Sequence, residues 1–393
     1  MTDIAARRLP PPAWLDGPGG RRLVDALDVA GGATKLVGGA VRDGLLGVPA
    51  SDIDFATRFA PAETIARLEA AGVKAVPTGI AHGTVTAVAE GLVAEVTTLR
   101  RDVTTDGRHA TVAFTDDWRA DAARRDFTIN ALYADPTTGA IDDYFGGVAD
   151  LAAGRVRFIG DPLQRIAEDH LRILRFFRFH ARFGHGEPDP AGLDACAAQA
   201  GDLTSLSRER IRDEVLKLLA VTDPVVTVTI MVDRAVLTPV LPEIGTAAAG
   251  LLNRLTTAEK TTQIRPHPLR RLAALLPVDP TVLDAVATRL RLSNADRKRL
   301  VLTAERGPSL GEMAYRDGLD SAVDRGLLSE NNALAAFITT WHKPVFPLSG
   351  GNLIARGVPA GPLVSTYLDA IERRWIAAGF PANLEPIVSQ VLS

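Results

Sequence analysis

The chain has 393 residues, 46% hydrophobic and 23% charged, with a formal net charge of −3. That length accommodates two to four domains with sizeable cores, and the near-neutral balance excludes a uniformly basic surface, so nucleic-acid contact must come from local patches. A single cysteine, Cys196, excludes an intrachain disulfide and a Cys-rich zinc site; its apolar surroundings read as buried.

The N-terminus lacks the basic-then-apolar pattern of a signal peptide, and no apolar run reaches ~18 residues, so the expectation is a cytoplasmic chain without a membrane span. An irregular arm through Pro10, Pro11 and Pro12 leads into a short helix. From residue 34 to about 135, short apolar runs alternate with turn signals. Residues 35–37, 52–56, 83–89, 93–99 and 111–114 read as strands, with helices at 40–46 and 62–71 between them. Beyond about residue 150 the strand signal fades. Residues 162–183, 189–200, 207–219, 283–290 and 363–378 carry helical spacing or composition, punctuated by proline. The β-branched stretch 225–236 favours a strand by propensity, but no partner strands lie near it, so it is read as helical. The expected fold class is α+β: an N-terminal head with a mixed β-sheet and flanking helices, then an all-α C-terminal half. The expected domains are a head at 1–154, a helical neck at 155–222, a helical body at 223–310 and a helical tail at 311–393.

The sharpest chemical signal is Leu-Val-Gly-Gly-Ala-Val-Arg-Asp at 36–43, followed nine residues after Asp43 by Asp52-Ile-Asp54. A strand ends at Gly38 and Gly39, where glycine permits a tight turn and close ligand approach. A helix then begins, and its unpaired N–H groups favour an anion such as a triphosphate. Arg42 in the first turn offers a guanidinium fork to phosphate oxygens. Asp52 and Asp54 alternate on the next strand and so face the same way. Two such carboxylates repel unless a cation lies between them, and Mg²⁺ suits a pair of carboxylates completed by water and substrate phosphates. Either half alone is a weak signal; their order and spacing make it specific.

These residues resemble the class II tRNA nucleotidyltransferase and bacterial poly(A) polymerase family. The resemblance continues at Thr-Gly-Ile-Ala-His-Gly-Thr-Val-Thr (78–86), Glu-Val-Thr-Thr-Leu-Arg-Arg-Asp (95–102), Arg-Arg-Asp-Phe-Thr-Ile-Asn-Ala-Leu (124–132) and Glu-Asp-His-Leu-Arg-Ile-Leu-Arg-Phe-Phe-Arg (168–178). It is close over about 33–183, whereas 190–280 matches in helical character alone and 349–362 resembles a tail segment. It implies a nucleotidyltransferase that adds CMP and AMP from CTP and ATP to the tRNA 3′ end, releasing pyrophosphate, with Mg²⁺ as cofactor and no protein partner. By the same resemblance Gly39 and Arg42 contact the nucleotide, Asp52 and Asp54 hold the metal, and Arg125 binds the triphosphate, with Asp126 orienting Arg125 by a salt bridge. Glu95 is either a third catalytic carboxylate or a surface strand residue. Residues 101–109 occupy the place of a flexible loop, and His82 reads as a hydrogen-bonding residue.

At ~100° per residue, Asp169, Arg172 and Arg175 of one helix share an arc of about 120°. An aspartate acceptor beside an arginine donor matches the Watson–Crick edges of cytosine and adenine but not of guanine or uracil. The resemblance gives this aspartate and arginine the selection of CTP and ATP, while Arg175 and Arg178 face the triphosphate or support the pocket. The basic stretches 265–271 and 289–299 either grip the tRNA backbone or form solvated faces. Within the class, a poly(A) polymerase or an enzyme adding only CC or A are the alternatives. A glycosyltransferase would share Asp-x-Asp without the glycine turn or the Arg-Arg-Asp run, and a non-catalytic RNA-binding protein would not need Asp52, Asp54, Arg42 and Arg125 together. A phosphohydrolase domain is not expected, since the second half has no His-Asp pair.

Overall fold

The computed structural model describes residues 8–48, 52–106, 109–305, 307–331 and 333–393. The chain forms two compact units, Met1–Val240 and Leu241–Ser393.

The first unit starts with helix α1 (Pro18–Ala26), whose Pro18 occupies the first turn, where its missing N–H is not needed. Strand β1 (Thr34–Val37), helix α2 (Gly39–Leu45), β2 (Ile53–Thr57), α3 (Pro61–Ala70), β3 (Lys74–Gly79), β4 (Thr84–Ala89) and β5 (Leu92–Thr98) follow. After β6 (Arg100–Asp106) and β7 (His109–Phe114) come α4 (Trp118–Ala123), β8 (Leu132–Ala134), β9 (Ile141–Asp143) and α5 (Gly147–Ala152). Seven strands make a mixed sheet in the order β3-β4-β5-β2-β1-β8-β9, and β6 and β7 form a separate antiparallel ribbon. Within the seven-stranded sheet β2 and β5 run parallel, with Asp54 opposite Glu95, while the other pairs are antiparallel.

Along β4, Val85, Ala87 and Ala89 are buried; along β5, Ala94, Val96 and Thr98 are buried. This two-residue period puts Glu95 and Thr97 on the opposite face of β5 from the core. The expected head sheet is therefore present, with three additional strands. β3 escaped the sequence reading because Pro77 cannot donate to a ladder. It lies at the sheet edge, and its register shifts between Val76 and Gly79. β8 and β9 are three residues each, too short for a periodic signal. The expected loop at 101–109 is instead largely the β6–β7 ribbon; Gly107 and Arg108 lie outside the described residues.

Five helices complete the unit: α6 (Pro162–Glu168), α7 (Leu171–Phe183), α8 (Pro190–Ala198), α9 (Arg208–Leu219) and α10 (Val225–Asp233). Asp161 and Asp189 cap α6 and α8 through the backbone N–H groups of Leu163 and Gly192. The single helix expected over 162–183 is two helices. Asp169 breaks it with an extended backbone (φ −156°, ψ 103°), and its Oδ1 accepts the Leu171 N–H at 3.1 Å. The apolar stripe of α7 is buried as its spacing implies: Ile173, Leu174, Phe176, Phe177 and Phe179. Phe176 stacks on Phe158 with centroids 5.5 Å apart, and Phe127 of the head meets Phe158 at 4.8 Å, so aromatic packing fixes α7 to the sheet domain. Residues 225–233 are helical despite their β-branched composition, because Val228 and Met231 are buried on one side, with α7 as neighbour. That packing joins them to the first unit.

The second unit has no strand among its described residues; its helices are α11 (Ala248–Thr261), α12 (Pro268–Leu275), α13 (Pro280–Arg289), α14 (Asn294–Leu302), α15 (Leu310–Asp317), α16 (Leu319–Leu328), α17 (Leu334–Thr340), α18 (Gly350–Ile354), α19 (Pro362–Ala377) and α20 (Glu385–Leu392). Asp279, Ser293 and Ser309 cap α13, α14 and α15. Leu353, Val358, Ile371 and Val388 form a small separate core near the C-terminus. No helix among the described residues is long and apolar enough to cross a membrane.

Candidate active site

The glycine turn between β1 and α2 forms one wall of a cleft of about 580 Å³ in the first unit. Gly38 has φ 66° and ψ −119°, a conformation open to glycine and costly for other residues. A Cβ there would stand 3.4 Å from Arg125 Nη1 and 3.5 Å from the Asn130 carbonyl oxygen. Gly38→Ala is therefore expected to lower stability by ~1–3 kcal/mol through backbone strain, measured by urea unfolding. A loss below ~0.5 kcal/mol would show that the turn relaxes without cost.

Gly38, Gly39, Arg42, Asp52, Asp54, Arg125, Asp169, Arg172 and Arg175 all line this cleft, joined by Arg124, Asp126, Asn130 and Arg210. Six arginines face four aspartates, a local excess of positive charge on a chain of net charge −3. Such a surface suits a polyanion. Glu95 lines an adjoining compartment of about 230 Å³ that shares Asp54, Arg124 and Arg125 with the cleft. Burial pushes the Asp54 carboxyl above the usual aspartate range, and Glu95 and Asp52 push it further, against the opposing pull of Arg125. Asp54 thus senses both neighbouring carboxylates, as expected of a cation site. Among the described residues no group of three or more acidic, His or Cys side chains is already arranged as a metal cage. Two neighbouring carboxylates that require further ligands fit Mg²⁺, which keeps waters and takes substrate phosphates.

The arginines differ in how they are held. Arg42 is buried: its Nε donates to Asp43 Oδ1 at 2.8 Å, its Nη1 to Asn130 Oδ1 at 2.5 Å, and its guanidinium lies 4.3 Å from the Phe183 ring. Burial holds its pKa below the usual arginine value, partly offset by Asp43. Arg125 donates to Asp121 Oδ2 at 3.2 Å and to the Tyr133 hydroxyl at 3.3 Å. The expected Asp126–Arg125 bridge is not present. Asp126 instead accepts from Arg175 at 2.6 Å and from Asn130 Nδ2 at 3.0 Å, and Asp121 holds Arg125. The reason is helical geometry. Asp121 precedes Arg124 and Arg125 by three and four residues, a spacing that brings side chains together at the end of a helix. This signal was legible in the sequence and was missed. Arg178 does not line the cleft; its Nε donates to Glu214 Oε2 at 2.6 Å.

Asp121 also predicts a pH dependence. Burial alone would raise its pKa, but Arg125 and Arg124 outweigh burial and hold it at about 2, against 3.8 ordinarily. A depressed native pKa contributes stability above pH ~4 that is lost as pH falls towards ~2, here about 2 kcal/mol. Asp121→Asn is expected to be less stable than the unsubstituted chain at pH 6, with the gap closing between pH 4 and 2 in denaturant titrations. A gap independent of pH would refute the ionic account.

Asp169 and Arg172 both face the cleft but do not pair with each other. Asp169 Oδ2 accepts from Arg210 Nη2 at 2.7 Å. Arg172 Nη1 donates to Glu168 Oε2 at 2.5 Å and to the Arg165 carbonyl at 2.7 Å, and Nη2 to the Arg124 carbonyl at 3.3 Å. Arg165 in turn donates to the carbonyls of Arg124 and Arg125, tying α6 to the end of α4. Arg210 comes from α9, remote in sequence, and no local pattern marks it.

The two basic stretches, read as either an RNA grip or a solvated face, differ in burial. Arg270 and Arg271 are buried, bound to Glu259 and, for Arg270, to Asp324. At these two arginines neither reading holds, because both side chains are withdrawn from solvent. Arg289 pairs with Glu243, Arg297 with Asp284 and Arg299 with Asp324.

Residues 34–157 match the family model described as the poly A polymerase head domain, and 187–247 match one described as a probable RNA and SrmB-binding site of polymerase A. The CCA tRNA nucleotidyltransferase 1, mitochondrial, of Mus musculus is 35% identical over 389 residues, covering 91% of this chain and 86% of the relative. The chain belongs to the class II tRNA nucleotidyltransferase and poly(A) polymerase family. Its similarity extends to the CCA-adding enzyme of Limosilactobacillus fermentum, 30% identical over 92% of this chain and 93% of the relative. A crystal structure of the Bacillus stearothermophilus CCA-adding enzyme with CTP superposes with a TM-score of 0.74 at 26% identity, covering 96% of this chain and 97% of the other. Nucleotidyltransferases of this family generally use a divalent metal. The head-plus-helices architecture expected from the sequence is that of the family.

Proposed function

We infer that this chain is a CCA-adding enzyme: it adds CMP and AMP from CTP and ATP to the 3′ end of tRNA and releases pyrophosphate. The observation that carries the reading is one cleft bringing the Asp52–Asp54 pair, the glycine turn and the Asp169–Arg172 pair together. Relatives named for CCA addition align with nearly the whole chain.

The terminal 3′-hydroxyl attacks the α-phosphorus of the nucleotide; a new P–O bond forms, the bond to the β-phosphate oxygen breaks, and pyrophosphate leaves. Such transfer rests on positioning and electrostatics. Asp52 and Asp54 would hold Mg²⁺, and Glu95, in register with Asp54, faces the same transfer from the adjoining compartment. Bound there, the cation supplies charge neutralisation to the triphosphate and acidity to the attacking hydroxyl. Arg125 and Arg175, each held by a buried carboxylate, present fixed cations to the phosphates. Arg42 works from behind the turn, where it fixes Asn130 and the start of α2. Gly38 and Gly39 leave room for the nucleotide. Asp169 accepts the exocyclic amine of cytosine or adenine while Arg172 donates to the ring. In this reading residues 1–154 carry catalysis, 155–222 base recognition, 223–310 a connecting body and 311–393 tRNA binding.

The test is incubation of the purified chain with tRNA lacking its last three nucleotides, Mg²⁺, and each nucleoside triphosphate singly and in pairs. Addition of two C residues with CTP, and of CCA with CTP plus ATP, is expected. Extended A tails would favour poly(A) polymerase, and arrest after CC or A alone a partial enzyme. No extension under any condition would refute the assignment.

A further inference from the structure

We propose that Arg210 is a specificity-determining positioning residue, which holds the Asp169 carboxylate in its base-reading orientation and keeps it from pairing with Arg172. The inference rests on the base-reading role proposed for Asp169 and names a group that role depends on. Asp169 sits at the break between α6 and α7, outside regular helix, so its backbone alone does not fix its side chain. Two contacts do: the Leu171 N–H on Oδ1 at 3.1 Å and Arg210 Nη2 on Oδ2 at 2.7 Å. A carboxylate offers about four acceptor positions, so these two contacts leave it able to accept an exocyclic amine.

The alternative partners of Asp169 share its wall. Arg172 and Arg175 line the same cleft. Arg172 is occupied by Glu168 and by the carbonyls of Arg165 and Arg124, and Arg175 by Asp126. Each of the two base-reading groups therefore has its own counter-ion on a different segment: Glu168 on α6 for Arg172, Arg210 on α9 for Asp169. Without Arg210, the carboxylate is free to swing onto Arg172, three residues ahead. Acceptor and donor would then satisfy each other and no longer demand an amine from the base. Uracil, which places a carbonyl oxygen where cytosine has its amine, would lose the acceptor-against-acceptor clash that excludes it. The Arg210–Asp169 pair is partly exposed (side chains 46% and 32%), so it contributes little to fold stability and its loss should register in selectivity.

The experiment measures kcat/KM for CTP and for UTP on tRNA lacking its last three nucleotides, in the unsubstituted chain, Arg210→Ala, Arg210→Lys, Asp169→Ala and the double variant Asp169→Ala/Arg210→Ala. The CTP-over-UTP ratio is expected to fall roughly 10- to 100-fold in Arg210→Ala. Arg210→Lys, which keeps a cation, should recover most of that ratio. In the Asp169→Ala background, Arg210→Ala should change the ratio no further, because it acts through Asp169. An unchanged ratio in Arg210→Ala overturns the inference. So does an equal fall for both nucleotides, or full additivity with Asp169→Ala. Absence of CMP addition by the unsubstituted chain would instead defeat the proposed function, which separates the two failures.

Discussion

Asp54→Asn is expected to reduce CMP and AMP transfer by about 1000-fold or more, while tRNA binding and thermal stability are retained. Asparagine preserves the volume and removes the charge. Asp54 is the carboxylate shared by the cleft and the Glu95 compartment, and it stands opposite Glu95 in the parallel β2–β5 pair. Its carboxyl is pushed up by burial and then by Glu95 and Asp52, so the folded chain carries like-charge repulsion at this point. A cation relieves that repulsion and contributes several kcal/mol to the transition state, each 1.36 kcal/mol being about tenfold in rate. Removing one of the repelling charges should leave the melting temperature equal or slightly raised, which distinguishes lost chemistry from lost folding. Single-turnover transfer assays, filter binding of tRNA and thermal melts measure the three quantities. Transfer within tenfold of the unsubstituted rate would refute the metal-holding role of Asp54.

The largest stability effect is expected at Glu259, far from the chemistry in sequence. Its Oε1 accepts from Arg270 at 2.7 Å and its Oε2 from Arg271 at 2.9 Å, with all three side chains no more than 4% exposed. Arg270 also reaches the fully buried Asp324 at 2.8 Å, which Arg299 binds at 2.6 Å. Glu259→Ala takes their shared carboxylate from two buried guanidiniums. Breaking a buried ion pair from one side costs about 3–5 kcal/mol, because the remaining charge stays out of water. Urea unfolding followed by the fluorescence of Trp341 and Trp375, both in the second unit, should register a loss of that order. Glu259→Gln, which keeps one acceptor oxygen and loses the other, should lose less than Glu259→Ala. A loss under ~1 kcal/mol would mean that water enters and solvates the arginines.

The same cluster marks where the sequence misled. Arg-Arg at 270–271 reads as a phosphate grip or a solvated face because charge is read locally, whereas burial is decided by distant partners. Glu259 lies eleven residues before Arg270, and Asp324 lies 54 residues after it. Of the two readings of Arg178, facing the triphosphate or supporting the pocket, its ion pair with Glu214 on α9 and its place outside the cleft lining favour support. The helix break at Asp169 was hidden by apolar periodicity that continues across it. By contrast Asp121, three and four residues before Arg124 and Arg125, obeyed a local rule and was available to the sequence reading.

From the chain of residues alone came the α+β class, the glycine turn, the Asp52–Asp54 pair and the buried stripe of α7. Each is written in neighbours within a few positions, where backbone geometry fixes which side chains share a face. Only the tertiary structure decided the more distant partners: Asp126 for Arg175, Arg210 for Asp169, and Glu259 for the two arginines of a stretch that reads as either an RNA grip or a solvated face. Those pairings join segments separated in sequence or compete among near-equivalent charges, and which of them forms depends on packing and burial that no local pattern records.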